Sequence, residues 1–223
     1  MATDVPMATA TSAQVLTLSQ WLSPAYPVGA FAYSHGLEAA ADQAWLRDGA
    51  DLEAWLEEVL EHGAGRADAL FLAAAWRAKE TADLAAVDAT ACAFAASRER
   101  LLETRQQGRS FGLVTQGIWG APLAGLTYPV ALGAAAAAEG LPLELTQVMY
   151  LQAFLSNLVA AGQRLLPVGQ TEGQQILQRL SCRLPAIAEQ TRDGDLGQLS
   201  ATAFLADIAA MKHETQRSRI FRT

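Results

Sequence analysis

Histidine and cysteine are the residues of this chain best suited to holding a transition metal, but their spacing does not favour a metal site. The three histidines, His35, His62 and His213, are isolated from one another, and the sequence contains no Cys-x-x-Cys, His-x-His or His-Glu-x-x-His pattern. Such patterns are what bring several ligands to one metal ion. Scattered histidines are more often surface or capping residues. We therefore predict no tight metal site within the chain.

Two other segments carry part of the chemistry of an enzyme. Residues 120–127 have the glycine spacing of a phosphate-binding loop, but Leu126 stands where the phosphate-binding lysine is required, and no strand precedes the segment. Ser34 and His35 are adjacent, yet adjacency does not place a nucleophile against its base, and Gly-x-Ser-x-Gly is absent. The sequence predicts neither a catalytic set nor a cofactor, so we do not expect an enzyme.

Polar and aromatic residues in loop-rich surroundings are the more informative feature. Residues 23–38 contain two prolines together with Tyr26, Phe31 and Tyr33. Aromatic residues with a polar group are enriched at interfaces, although a buried structural loop would have the same composition. Arg164 is a lone charge at an apolar helix end, where it either reaches solvent, pairs with a terminal carbonyl or contacts a partner.

Charge is distributed unevenly along the chain. The net charge is −7, whereas residues 1–62 contain nine acids and one base, and residues 212–223 contain four bases and one acid. An acidic body with a basic tail favours charge-guided contacts with proteins over binding to nucleic acid. The tail also contains Ile220 and Phe221. Apolar residues this close to a terminus suggest docking, with a frayed terminus as the alternative.

The elements that position these residues are predicted to be helices. The chain has 46 alanines and 31 leucines against 10 valines and 5 isoleucines, a composition that favours helix over sheet. Apolar residues recur at helical spacing after five candidate starts. We predict a single all-α bundle of about eight to ten helices, with segments that begin near Asp51, Asp83, Leu143, Thr171 and Phe204. Asp51 is predicted to cap the first of these helices and Thr171, in a capping box with Gln174, the fourth, and the first two helices are predicted to end at Gly63 and near Gly108.

Three regions and one compartment follow from the same analysis. We expect residues 1–12 to be disordered, residues 13–211 to form the all-α domain and residues 212–223 to form a basic tail that docks on a partner. Cys92 and Cys182 have no paired spacing, which suits a reducing compartment. We find no signal-peptide pattern and no stretch apolar enough for a membrane span, so we expect a cytoplasmic protein.

Five segments together resemble the urease accessory protein F family. Residues 23–38 are similar to its Ser-Pro-x-x-Pro-Val-Gly-Gly loop and the Tyr-Ser-x-Gly-Leu-Glu that follows, and residues 103–105 to its central Glu-x-Arg. Residues 128–130 match its Tyr-Pro-Val, residues 164–170 its (Lys/Arg)-Leu-x-Pro-x-Gly-Gln, and residues 212–223 its His-Glu-Thr-Gln-Tyr-Ser-Arg-Leu-Phe-Arg ending. Their order and spacing make the resemblance specific, and it extends from about Leu18 to Thr223.

The resemblance implies an all-α homodimer that acts with accessory proteins D (also called H) and G to deliver nickel to apo-urease. G is the GTPase, and a member of this family would recruit it, regulate it and bridge it to D. The partner-contact positions of the family match Tyr33, Arg164, Arg219 and Arg222, which we expect to be interface residues. Neither a cofactor nor a nucleic-acid or membrane partner is implied.

Three departures and two alternatives accompany the resemblance. Ala30 replaces a glycine, Thr127 replaces a frequent histidine, and Arg217 replaces the tail tyrosine.

One alternative function is that Arg164 or a tail arginine acts in trans as an arginine finger and accelerates GTP hydrolysis by G. The other is an all-α enzyme or a generic helical adaptor outside urease maturation, which a pocket with strongly perturbed acids or bases would favour.

Overall fold

The computed structural model describes residues 10–121 and 123–223. The described residues form eleven α-helices and two 3-10 helices, the latter at Ala30–Ala32 and Leu196–Gln198. The α-helices are α1 (Ser12–Trp21), α2 (Leu37–Asp42), α3 (Gly49–His62), α4 (Ala64–Arg77), α5 (Thr81–Phe94), α6 (Arg98–Trp119), α7 (Tyr128–Ala138), α8 (Leu143–Leu165), α9 (Gln170–Ser181), α10 (Leu184–Thr191) and α11 (Phe204–His213).

The predicted all-α fold is confirmed. Nine of the eleven α-helices have ten residues or more, and α2 and α10 are shorter. No described residue lies in a β-strand. None of the described helices combines the length and the apolar character needed to cross a membrane. Most of the predicted disordered segment, residues 1–9, lies outside the described residues, while Thr11 caps α1 through a reciprocal bond with Gln14.

The long helix α8 lies at the centre of the bundle and packs against α3, α4, α9 and α10. Leu151, Leu155 and Leu158 fall on one face of α8 and are buried, as their helical spacing predicts. The helix ends at Leu165, two residues before Pro167, as expected of a residue that cannot continue a helix. Arg164 is thereby placed in the last turn of the central helix.

The boundary between α5 and α6 differs from the sequence prediction. The periodic pattern after Asp83 predicts one helix that ends near Gly108, but the chain breaks at residues 95–97 and α6 continues to Trp119. Ser97 caps the new helix because its side chain accepts a hydrogen bond from the Arg100 amide. The first half of this 22-residue helix contributes Arg100, Glu103 and Gln106 to contacts with the N-terminal loop.

Gly108 allows the second half of α6 to approach α7 closely. A Cβ atom at this position would lie 2.1 Å from the Leu126 carbonyl oxygen, so only glycine permits the observed packing. The expectation that this glycine ends the helix is therefore wrong. Two cap predictions also fail: α3 is capped by Asp48 instead of Asp51, and α9 begins after Gly169 without a side-chain cap.

Candidate protein-interaction surface

The C-terminal tail packs on its own chain after leaving α11 at His213. The Arg222 amide donates to the Ala32 carbonyl at 2.8 Å, and the Ser34 amide donates to the Thr223 carbonyl at 3.0 Å. Phe221 and Thr223 are buried. Backbone bonds therefore connect the tail to the N-terminal loop, and the tail has a defined position in the single chain.

Glu38 in α2 is the main anchor of this tail. Its carboxylate accepts hydrogen bonds from the backbone amides of Ile220 at 2.6 Å and Phe221 at 2.8 Å, and it faces His213 Nε2 at 3.2 Å. Only 6% of Glu38 is exposed. Bonds from amides to a buried carboxylate are stronger than neutral ones, so this single side chain sets the path of the tail.

Gly36 brings α2 close enough to α11 for these contacts to form. Its φ is +82°, and a Cβ atom would lie 2.7 Å from the Ala210 amide nitrogen. Both the left-handed backbone and the lack of space require glycine at this position.

Two carboxylates from α6 complete the attachment. Glu99 lies 2.6 Å from His213 Nδ1 and 2.5 Å from Arg219 Nη1. Glu103 accepts a hydrogen bond from Thr223 Oγ1 at 2.9 Å. Both α2 and α6 thus contribute carboxylates to the tail region, so the tail is attached to two helices of its own chain.

Glu103 also belongs to a cluster of mostly buried charges beneath the tail. Burial alone would raise the pKa of Glu103, but Arg100 and His35 lower that pKa to about 2. Burial and the Arg100 charge both lower the pKa of His35. Burial also raises the pKa of Asp68 to about 6, although Arg100 opposes this effect. Glu103 and Arg100 are therefore an ion pair at neutral pH, whereas His35 is neutral.

Arg164 reaches the same region from the end of α8. Its Nη1 atom donates to the Phe31 carbonyl at 3.0 Å, and its Cζ atom lies 4.2 Å from the centre of the Phe221 ring. A guanidinium on an aromatic face is a favourable cation–π contact. The sequence left three alternatives for Arg164, namely solvent, a terminal carbonyl or a partner. The contacts that the structure shows are with the N-terminal loop and the tail of its own chain.

The other three predicted interface residues lie nearby. Arg219 and Arg222 are exposed on the tail, whereas Tyr33 is buried beneath it. Tyr33 donates a hydrogen bond to Gln106 Oε1 at 2.6 Å, and Arg222 Nη1 approaches the same oxygen at 3.5 Å. Residues from three distant segments are thus brought together around the C-terminal tail.

Large apolar side chains surround these arginines. Phe31 is 72% exposed and Ile220 is 64% exposed. We use the term tail surface for the exposed residues of this region, namely Phe31, Arg164, Arg219, Ile220 and Arg222. The neighbouring α11 carries a second set of exposed apolar residues, the α11 stripe, which consists of Phe204, Leu205, Ile208 and Met211. Apolar residues mixed with arginine are typical of protein–protein interfaces.

Comparison with known proteins gives the family of the chain. The family model described as UreF matches residues 46–181, which is more than half of the sequence. The chain belongs to the UreF family. A urease accessory protein UreF from Ruegeria pomeroyi is 54% identical over 97% of this chain and 100% of its own length. The UreF of Roseobacter denitrificans is 49% identical over 93% of both chains, and that of Methylorubrum populi is 48% identical over 93% of this chain and 98% of its own.

The family assignment confirms the resemblance seen in the sequence. UreF proteins are named as accessory proteins and not as the urease itself, in agreement with the prediction that the chain is not an enzyme. The described residues contain no group of three or more histidine, cysteine, aspartate or glutamate side chains arranged to hold a metal ion. His35 and His213 pair with carboxylates of the tail region instead.

The departures from the UreF pattern have clear structural settings. Gly29, the residue before Ala30, is left-handed with φ +73°, and Ala30 begins the first 3-10 helix without a positive φ. Thr127 is buried at the start of α7, where its amide and hydroxyl donate to Asp88 Oδ1. Arg217 is exposed in the tail.

The anchoring residues of the tail are the functional feature that sequence reasoning missed. Glu38, Glu99, Glu103 and His213 lie in or beside the quoted UreF segments, but nothing in their spacing indicates that they meet. A signal was available for Glu38, because an acid followed by a run of alanines inside an apolar helix is unusual unless its charge is satisfied.

Proposed function

We propose that this UreF chain supports GTP-dependent insertion of nickel into apo-urease as a scaffold that recruits and regulates the GTPase G and bridges it to protein D. The observation that carries the proposal is the tail surface. It combines exposed arginines with Phe31 and Ile220 around a tail that contacts within the single chain hold in place. Pre-organisation of this kind reduces the entropy lost on association.

We assign the tail and the α11 stripe to protein D. The stripe presents four large apolar side chains on one helix, and it is continuous along the chain with the tail that leaves α11 at His213. Because Glu38 already holds the tail on its own chain, binding of D would not have to order the tail. We assign Arg164 to recruitment of G, with Tyr33 in a supporting position beneath the tail.

We further propose that the working unit is a homodimer in the cytoplasm. Exposed apolar residues outside the tail region, such as Leu113 and Ile118 of α6, offer additional surface for a second copy. Both cysteines are free, as a reducing compartment allows.

The central experiment combines the purified chain with D, G, GTP, nickel and apo-urease. Complex mass is measured by light scattering, and urease activation is measured in the same samples. We expect a defined heteromer and activation that depends on this chain. A monodisperse chain that ignores both partners would overturn the scaffold proposal.

A matched pair of arginine variants tests the assignment of Arg164. Arg164→Ala is expected to weaken capture of G by at least about tenfold, because arginine is frequent among residues that dominate binding. Arg192→Ala is the control, since Arg192 is an exposed arginine that pairs with Glu189 outside the tail region. Equal capture of G by both folded variants would remove Arg164 from the interface.

GTP turnover by G distinguishes a scaffold from an arginine finger. A finger supplied in trans would accelerate hydrolysis on the order of 10³-fold or more, and the acceleration would vanish in the variant that lacks it. Arg164 is already bound to Phe31 and Phe221 of its own chain, so we expect no such acceleration.

A further inference from the structure

A cleft of about 510 Å³ opens between the N-terminal loop and α8. Its rim is exposed to solvent at Pro24, Phe31, Ser156 and Ala160. Its floor is formed by polar residues from the start of α6, from α4 and from the N-terminal loop. The volume lies in the range of small-molecule sites. The cleft shares Phe31 with the tail surface and Glu103 with the tail contacts, but its interior is used by neither.

The floor contains a buried imidazole with an unused nitrogen. His35 is only 9% exposed, and its Nε2 atom lies 2.7 Å from both Glu103 Oε1 and Arg100 Nη1. Its Nδ1 atom has no hydrogen-bond partner within residues 10–121 and 123–223. The residue also has a φ of +54°, a left-handed conformation that non-glycine residues seldom adopt. A buried polar atom without a partner indicates a missing ligand or water.

The charges of the floor favour a cation over an anion. Glu103 is satisfied by Arg100, His35, Gln107 and Thr223. Asp68 is different, because its Oδ2 atom accepts one hydrogen bond, from the Tyr150 hydroxyl at 2.6 Å. An ionised carboxylate can accept about four hydrogen bonds. With Arg100 paired to Glu103, the remaining unbalanced charge on the floor is the negative charge of Asp68.

Aromatic side chains form part of the wall. Tyr128, Tyr150 and Phe154 line the cleft beside this carboxylate. The Tyr128 and Tyr150 rings pack against each other at a tilt of 59°, and the Phe154 ring packs edge-on against His35 at 75°. Aromatic faces bind planar cations, and a guanidinium matches a carboxylate with two parallel N–H bonds.

We propose that this cleft binds a guanidinium or amidinium group. The group donates N–H bonds to Asp68 and to His35 Nδ1, and its apolar body lies against the aromatic walls. The group could belong to a free small molecule or to an arginine side chain of a polypeptide, since the recognised chemistry is the same. The proposal does not depend on the proposed scaffold role.

Calorimetric titration of the full chain tests the proposal with three probes. Benzamidine and agmatine represent free small molecules, and N-acetylarginine amide represents an arginine within a polypeptide. We expect saturable binding of at least one of them at a single site. Tighter binding of the acetylated amide assigns the cleft to a polypeptide arginine, and tighter binding of agmatine or benzamidine assigns it to a free small molecule. Absence of binding by all three overturns the proposal and leaves a water-filled cleft.

Variants locate the site. Asp68→Asn keeps an acceptor for Tyr150 but removes the charge, and we expect affinity to fall by about tenfold or more. Asp193→Asn removes an exposed carboxylate elsewhere and should leave affinity unchanged. Ala153→Trp fills the cleft and serves if Asp68→Asn does not fold. Unchanged affinity in a folded cleft variant, or stronger binding of acetate than of benzamidine, contradicts the assignment.

Discussion

Glu38 shows how one side chain can determine the conformation of a distant segment. Its carboxylate binds two consecutive tail amides and faces His213, so three tail groups depend on one charge. Spacing along the chain does not predict this arrangement, because the partners are separated by more than 170 residues. Sequence patterns identified the segments that meet at the tail surface, whereas the bonds between them depend on tertiary packing.

Replacing Glu38 with alanine is expected to release the tail. Each hydrogen bond to a charged group contributes about 1.5–3 kcal/mol, so hydrogen exchange at the Ile220 and Phe221 amides should accelerate by at least about tenfold. Glu189→Ala is the control, because Glu189 is an exposed glutamate that pairs with Arg192. Unchanged exchange at both amides in Glu38→Ala would show that another contact holds the tail.

Asp68 should make folding stability depend on pH in an unusual direction. Burial raises its pKa from 3.8 to about 6, so between these values the unfolded chain loses the proton while the folded chain keeps it. The Asp68 contribution is therefore full below pH 3.8 and is lost as the pH rises through about 6, with a slope of up to about 1.4 kcal/mol per pH unit. Glu103 has the opposite effect on stability, because its pKa is lowered to about 2. Its contribution to stability is lost as the pH falls toward 2.

Urea denaturation of Asp68→Asn at several pH values measures this effect. The variant should lack the decrease in stability between about pH 4 and 6, whereas Asp193→Asn should retain it. An identical pH profile for the wild type and Asp68→Asn would mean that the pKa of Asp68 is unchanged by folding.

At the scale of the helices, periodicity predicted some elements well and missed others for identifiable reasons. It located α8, whose apolar face is continuous, and the end of α3 at Gly63. Periodicity predicted α5 and the first half of α6 as one helix, because the alanines at the break, residues 95–97, do not interrupt the apolar pattern. Periodicity also predicted that the helix ends at Gly108. The true reason for this glycine is the close approach of the Leu126 carbonyl, which cannot be seen in the pattern of α6 alone.

Two glycines of α6 provide a matched test of this interpretation. Gly108→Ala would place a methyl group against the backbone at Leu126 and should destabilise the protein by more than about 1 kcal/mol. Gly117→Ala meets no atom within 4 Å and should stabilise the same helix by about 0.5–1 kcal/mol. Urea midpoints compare the two variants, and a shift of the same sign in both would contradict the proposed role of Gly108.

For the whole molecule, composition was sufficient to predict the all-α class, but the location of exposed apolar surface was not. The helical pattern assigned Phe204, Leu205, Ile208 and Met211 to a helix, and these residues lie on the outside of α11 because alanines occupy its inner face. A sequence cannot distinguish an inner from an outer apolar face when small residues pack inward.

Ile208→Glu is expected to abolish association with protein D while leaving the melting temperature nearly unchanged. The residue is 42% exposed on the α11 stripe, so the new charge disturbs an interface more than it disturbs the fold. Leu16→Glu on α1, at a position that is 69% exposed, is the control. Co-purification with D and thermal melting measure the two effects. Equal binding of D by both variants would show that the α11 stripe is not part of the interface with D.

The anchoring of the tail also has a consequence for the timing of synthesis. The N-terminal loop and Glu38 leave the ribosome first, but their bonds to Ile220 and Phe221 require residues that are translated some 180 positions later. Nascent chains therefore carry an unoccupied Glu38 until residues 220 and 221 have been translated. An interaction surface that is assembled from segments so far apart in sequence exists only after the later segment has been made, so shorter nascent polypeptides cannot compete with it for partners.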